Sequence, residues 1–362
     1  MTTTSSRVFI VAEAGVNHNG SLDMARRLID VAAAAGADAV KFQSFQASGV
    51  ASAQAPKARY QVAATGAAES QLEMLRKLEL SEADHAALIE HAARRAIHIL
   101  STPFDLPSLH MLVQRFGFEL LKVPSGEITN GPFLLAVAHT GRKVILSTGM
   151  SSLGEVEAAL GVLAFGFGGS DREPGRDAFA SAFASDDGQR LLRERVTLLH
   201  CTTEYPAPFD ETNLRAMDAL AAAFHLPVGF SDHTPGIHMP VAAVARGACL
   251  VEKHFTLDRS LPGPDHAASL EPDELQIMVR QIREVELALG DGVKRCTKSE
   301  LKNAGVARRS LVAAVAIRRG ERFSSDNVAC KRPAMGISPM EYWRVLGRTA
   351  SRDFAADELL DE

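Results

Sequence analysis

The sequence predicts an α/β protein: a (β/α)8 TIM barrel over 1–290, a linker at 291–305, and a small, mostly β domain over 306–362. Three observations predict it. Short apolar runs alternate with amphipathic helical stretches eight times over roughly 280 residues, near the length of one such barrel. Each run ends in a group able to do chemistry: Glu13, Lys41, Thr102, Lys122, Ser147, His200, His233 and His254. Barrel enzymes assemble their sites from the C-terminal ends of several strands. From about Val306 the helical period gives way to short alternating runs.

The elements follow in order. Val8 to Ala12 is β-branched and apolar without alternation, as a strand buried on both faces should be. After a polar loop, Ser21 caps a helix to about Ala35, with Leu22, Ala25, Leu28, Ile29 and Ala32 on one face and Gly36 closing it. Ala39 to Gln43 is the next strand, and Ala47 to Ser70 a long connection expected to cover the rim. Ile97 to Leu100, Leu120-Leu121, Val144 to Leu146 and Val196 to Leu199 continue the series, and Ser152 with Glu155 forms a capping box. Gly166 to Gln189, rich in Gly, Asp and Ser, reads as a surface insertion or mobile loop. Pro227 to Phe230 ends in Ser231-Asp232-His233, and Cys249 to Val251 in Glu252-Lys253-His254, with a helix from Met239 to Ala248 between them. The last barrel helix spans about Pro272 to Leu289; Gly290 to Asn303 is a polar, lysine-rich linker. Ser310 to Ile317 and Asn327 to Lys331 read as strands of a unit too small to bury much by itself.

Composition excludes several classes. A net charge of −5 gives no reason to bind nucleic acid or an acidic membrane. No apolar run approaches the roughly 20 residues of a membrane span, and the opening MTTTSSR has no charged-then-apolar leader. Cys201, Cys249, Cys296 and Cys330 are scattered without a CxxC pair, which suits a reducing cytoplasm. Neither GxGxxG nor GxxxxGK[ST] occurs, against a doubly wound nucleotide-binding sheet.

The rim residues suit a small, highly charged anion: Lys41 and Lys122 neutralise it, while Thr102, Ser125, Ser147, Ser231 and Gln43 orient it. A strand-end hydroxyl can equally cap a helix, but a lysine aimed at a barrel axis must be paired. Glu13 and Glu127 are the acid/base candidates. His233 and His254, at the ends of adjacent strands, can share one divalent metal; Mn²⁺, Mg²⁺ or Zn²⁺ suits them. A Schiff-base aldolase using Lys122 or Lys253 is the competing enzyme, and a sugar- or ice-binding protein using its tail the non-enzymatic alternative.

The motifs VAEAGVNHNGSLDMA, AVKFQSF, STPFD, KVPSGEITN, ILSTGMSSLGE, HCTTEYPAPF, GFSDHTPG and EKHFTLDRSLPGPDH, with VARRSLVA and KRPAMGISPMEYW in the tail, together resemble the bacterial sialic acid synthase family. The tail is similar to that family's antifreeze-like (SAF) domain. The resemblance implies a transferase that condenses phosphoenolpyruvate with an N-acyl mannosamine-type sugar, giving a nine-carbon 2-keto acid and phosphate by C–O cleavage. It implies a divalent ion, Mn²⁺ ahead of Mg²⁺ or Co²⁺, on His233 and His254. Lys41, Thr102, Lys122, Ser125, Ser147 and Ser231 would hold phosphoenolpyruvate; Glu13 and Glu127 would move protons; Gln43, Tyr205 and Asp265 would contact the sugar. It also implies a homodimer with swapped tails, in which Arg332 reaches the partner's sugar. Ala63-Ala64 depart from the family's Lys-Asn, KRPAMG from KRPGxG, and the Gly166–Gln189 insertion is long. The acceptor stays open between N-acetylmannosamine, giving N-acetylneuraminate, and a 2,4-diacetamido-6-deoxy relative, giving N,N′-diacetyllegionaminate. HCTTEYPAPF and LPGPDH lean towards the second.

Overall fold

Eight parallel strands form the sheet of the larger unit: β1 (Phe9–Gly15), β2 (Ala39–Ser44), β3 (His98–Pro103), β4 (Leu120–Val123), β5 (Lys143–Ser147), β6 (Val196–Cys201), β7 (Val228–Asp232) and β8 (Leu250–His254). They pair in the order β3-β2-β1-β8-β7-β6-β5-β4. β4 lies against β3, so the sheet closes into a barrel. The computed structural model describes residues 7–361 and divides into Met1–Gly290 and Asp291–Glu362. The opening read as carrying no leader lies mostly outside the described residues.

Alternation along each strand sorts the side chains. One face, with Ile10, Ala12, Val40, Phe42, Leu121, Val144, Leu146, Leu198, Phe230 and Val251, packs with the helices in the main core. The other face turns into the barrel. There Val11, Ala39, Leu100, Ile145, Leu199 and Leu250 form a separate apolar plug. β7 contributes Gly229 to this region, where a Cβ would sit 2.5 Å from the Leu250 carbonyl oxygen and 2.7 Å from Leu199 Cδ2; no side chain fits. Two residues further along each strand the inward face turns polar, and Glu13, Lys41, Thr102, Lys122, Ser147, Cys201, Ser231 and Glu252 line a cavity at the mouth. The strands thus run further than their apolar cores, and the polar tips belong to them.

The helices follow their caps. Ser21 accepts from the Met24 N–H ahead of helix Leu22–Ala35, and Gly36 closes it at φ +81°. Ser152 and Glu155 form the expected box for helix Leu153–Phe167. The Gly166–Gln189 stretch differs from its reading as a loop: helices Arg176–Ala184 and Asp186–Arg195 occupy most of it. Phe179, Ala182 and Phe183 pack on the main core, and Ser185 caps the second helix through the Gly188 N–H. The rim connection likewise holds helical turns, Ala47–Val50 and Arg59–Thr65.

In the smaller unit, helix Lys298–Ala307 replaces part of the expected linker. β9 (Ser310–Ala313) pairs antiparallel with β10 (Val328–Lys331). Leu311, Ala313, Ile317, Phe323, Val328, Val345, Ala350, Phe354 and Leu360 make its core, so this unit does bury an interior of its own. Among the described residues no helix is long and apolar enough to cross a membrane.

Candidate active site

Two lysines and two glutamates meet at the floor of the barrel mouth, in a cavity of about 280 Å³. Lys41 Nζ lies 2.7 Å from Glu13 Oε2 and 3.5 Å from Glu252 Oε2 and donates to Thr102 Oγ1 at 2.9 Å. Lys122 Nζ donates to Glu252 Oε1 at 2.8 Å, which also accepts from Ser231 Oγ at 2.9 Å. Ammonium groups this deep are tolerated because each is paired. The two carboxyls are nevertheless unlike. Burial alone would raise Glu252, but the ammonium groups of Lys122 and Lys41 outweigh it and hold it well below the usual carboxylate range. Burial dominates at Glu13, with Lys41 opposing it, and its pKa rises to about 7. Glu252 is therefore a fixed anion and Glu13 a group that exchanges a proton near neutral pH, the division of labour expected where environments drive two carboxyls apart.

One same-face step above this floor stand Gln43, His233 and His254. The imidazole centroids of His233 and His254 are 5.6 Å apart. Burial lowers His233 to about 4. His254 is lowered well below the ordinary imidazole value, first by burial and then by His233 and Lys41. Both rings are neutral, as metal ligands must be. His233 Nδ1–H donates to the Thr202 carbonyl at 2.6 Å, which leaves the Nε2 lone pair for a ligand; this is the support a metal-binding histidine ordinarily has. His254 Nδ1 and Ser147 Oγ are buried with no hydrogen-bond partner. Among the described residues no group of three or more His, Cys, Asp or Glu is assembled around one ion position. A cation here would take two imidazoles and keep open positions for water or substrate. The residues fit a divalent ion on those terms.

The remaining residues divide. Ser125 Oγ accepts from the Gly149 N–H at 3.0 Å and lies 3.2 Å from Cys201 Sγ; at Gly149 a Cβ would come within 2.3 Å of Thr203 Oγ1. Tyr205 stacks on His233 at 4.1 Å between centroids and meets Tyr60 at 4.9 Å, and burial holds its hydroxyl protonated. Asp265, also at the cavity wall, is raised to about 6 by burial. Glu127 is not brought to the floor. It lies on the turn Ser125–Glu127, its carboxylate accepts from Asn130 Nδ2 at 2.6 Å, and it is not among the residues lining the cavity. On a tight turn, Ser125 facing inward leaves Glu127 facing elsewhere. His200 also turns out of the barrel, bonded to the Thr212 carbonyl at 2.7 Å, and Cys201 takes the inward place. Lys253 is buried behind β7 and β8, paired with Asp232 Oδ2 at 2.6 Å, so it cannot serve as a cavity amine. Arg332 belongs to the smaller unit, where it is exposed and Nε donates to the Ala307 carbonyl at 2.9 Å. Glu252 escaped notice as a site residue. The signal was available, since it lies two residues before His254 on one strand face.

A barrel mouth with a buried floor of paired charges beneath two neutral imidazoles defines an enzyme for a small, strongly anionic substrate. Comparison with known proteins makes this particular. The chain belongs to the NeuB family, matched over residues 28–294, and residues 308–362 match the SAF domain. It is 51% identical to the N,N′-diacetyllegionaminic acid synthase of Campylobacter jejuni subsp. jejuni serotype O:2, over 98% of this chain and 99% of that one. The synthase of the same name from Legionella pneumophila is 42% identical over 99% and 94%. Among solved structures, the N-acetylneuraminic acid synthetase of Leptospira borgpetersenii aligns with a TM-score of 0.66 and 33% identity, over 83% of this chain and 90% of that one.

Proposed function

We propose that this enzyme condenses phosphoenolpyruvate with open-chain 2,4-diacetamido-2,4,6-trideoxymannose, forming N,N′-diacetyllegionaminate and releasing phosphate. The floor of Lys41, Lys122, Glu13 and Glu252 carries the reading, because a phosphorylated enol acid needs fixed cations beside a group that can exchange a proton. The choice of sugar is supported by the names of the two synthases above. Lys41 and Lys122 neutralise the carboxylate and phosphate, and Thr102, Ser125, Ser147 and Ser231 supply short donors around them. C3 of the enol forms the new bond to the sugar aldehyde carbon; water adds at C2, and the C2–O bond to phosphate then breaks. Glu13, titrating near 7, exchanges the protons of these steps. His233 and His254 would hold a divalent cation, Mn²⁺ in the first instance, and such an ion supplies Lewis-acid polarisation of an aldehyde oxygen. Tyr205 keeps the His233 ring in place by stacking.

The reading includes a cytoplasmic homodimer with exchanged tails, Arg332 serving the partner's sugar. Exposed apolar side chains support the dimer: Met150 and Phe209 after β5 and β6, and Met335, Met340 and Trp343 on the smaller unit. Large apolar groups left in water mark a contact surface. All four cysteines are free thiols, in keeping with a reducing compartment.

Phosphate release tests the function. With Mn²⁺ and phosphoenolpyruvate present, the diacetamido sugar should drive release faster than N-acetylmannosamine, and EDTA should stop it. Release with neither sugar, or the trapping of a keto acid on Lys122 by borohydride, would overturn the proposal.

A further inference from the structure

The wall above the floor comes from the segment that follows β2, and nothing in the reaction chemistry accounts for its composition. Tyr60, Gln61, Gln71, Val50, Met74 and Leu78 from this segment all line the cavity. Its apolar part is one side of a small cluster in which Met74 and Leu78 pack with Val16 and Phe45, so the patch is held rather than loose. Its polar part is a pair of amides whose orientation is fixed by the backbone. Gln61 Oε1 accepts from the Ala58 N–H at 3.0 Å, which identifies it as oxygen. The same oxygen accepts from Gln71 Nε2 at 3.5 Å. Gln71 Oε1 remains as an acceptor for a ligand, and each amide keeps an N–H donor, that of Gln61 beside its hydrogen bond with Tyr60. An acylamino group offers the reverse set, one N–H donor and one carbonyl acceptor.

We infer that Gln61 and Gln71 read an acylamino substituent of the acceptor sugar remote from its aldehyde, and that Val50, Met74 and Leu78 receive an adjoining deoxy methyl group. Placement supports the assignment to the remote end. The aldehyde must lie near His233 and His254 over the charged floor, so the outer wall meets the other end of the sugar. A hydroxymethyl group would bring an unpaired hydroxyl against the apolar patch, and a lone hydroxyl in place of the acylamino group would have to serve both amides from one atom, where the acylamino group presents its N–H and its carbonyl on separate atoms. This inference rests on the synthase reading and goes further by assigning the discrimination between acceptors to particular side chains.

The test compares 2,4-diacetamido-2,4,6-trideoxymannose with N-acetylmannosamine in the full-length enzyme, following phosphate release with Mn²⁺ present. Gln71→Leu keeps the bulk and removes the acceptor. It should lower kcat/KM for the diacetamido sugar about tenfold or more, through that sugar's KM, with a smaller loss on N-acetylmannosamine, so that the preference ratio falls. Val50→Ser alters a partly exposed position where misfolding is not expected, and it should lower the same ratio by weakening the methyl contact. Equal losses on both sugars, or an unchanged ratio in both variants, would overturn the assignment while leaving the synthase intact. An unmodified enzyme idle on both sugars would sink the assignment and the synthase reading together.

Discussion

Glu252 is the most informative single residue. It pairs with both floor lysines and accepts from Ser231. Glu252→Gln leaves two ammonium groups facing one carboxyl, and stripping one partner from a buried ion pair costs about 3–5 kcal/mol. The sign for its neighbour is equally definite. Glu252 is one of the groups that raise Glu13, so its removal lets Glu13 ionise at lower pH. We expect a lower urea midpoint, and in kcat/KM against pH a limb that begins near 7 and moves towards acid; a limb that stays put would contradict the coupling. Most of this constellation was legible from the sequence, since Lys41, Thr102, Lys122, Ser147, Ser231, His233 and His254 all stand where strand ends placed them. Glu252 and His200 are hidden from such a reading for one physical reason. Apolar runs end before the strands do, and along the polar tips the pleat still turns every second residue away, where a loop would leave facing free.

At the scale of elements, the outer helices show what composition conceals. The stretch from Gly166 opens with glycines and charges typical of loops, yet Phe179, Ala182 and Phe183 recur on one side of a helix and bury against the core. Their packing depends on Gly161 in helix Leu153–Phe167, whose Gly166 seats helix Gly131–His139 in the same way. A Cβ at Gly161 would approach the Phe179 carbonyl oxygen to 2.9 Å, and one at Gly166 would approach Ala138 Cβ to 2.5 Å. Glycine inside a helix is ordinarily a loss; here it allows close approach. Gly161→Val should cost about 1–3 kcal/mol by overpacking. The measurement is amide exchange, which should quicken across helices Arg176–Ala184 and Asp186–Arg195 while turnover changes little. Unaltered exchange there would mean that the insertion does not lean on this contact. The pairing of Lys253 with Asp232 belongs to the same scale, for it ties the tips of β7 and β8 together directly behind the two imidazoles.

For the whole molecule, the exchanged-tail dimer makes a prediction that a tail serving its own barrel does not. Mixing Arg332→Ala with His233→Ala, each inactive or nearly so, should restore about a quarter of the sites once subunits exchange at random, because one barrel in each hybrid dimer is then complete. If each tail served its own barrel, the mixture would stay as inactive as its parts. Phosphate release after co-refolding or co-expression decides it. The sequence could announce two units because their hydrophobic periods differ.

Above pH 7, with Glu13 ionised, the four floor charges, two positive and two negative, cancel before any ligand arrives. An entering enol phosphate therefore brings its negative charge into a balanced enclosure, and the floor carboxyl able to adjust is Glu13, poised to titrate about 7. Binding should draw a proton from solution. Calorimetry of phosphoenolpyruvate binding near pH 7.5, repeated in buffers of unlike ionisation enthalpy, should give heats that scale with the buffer, in the direction of uptake, and Glu13→Gln should abolish that dependence.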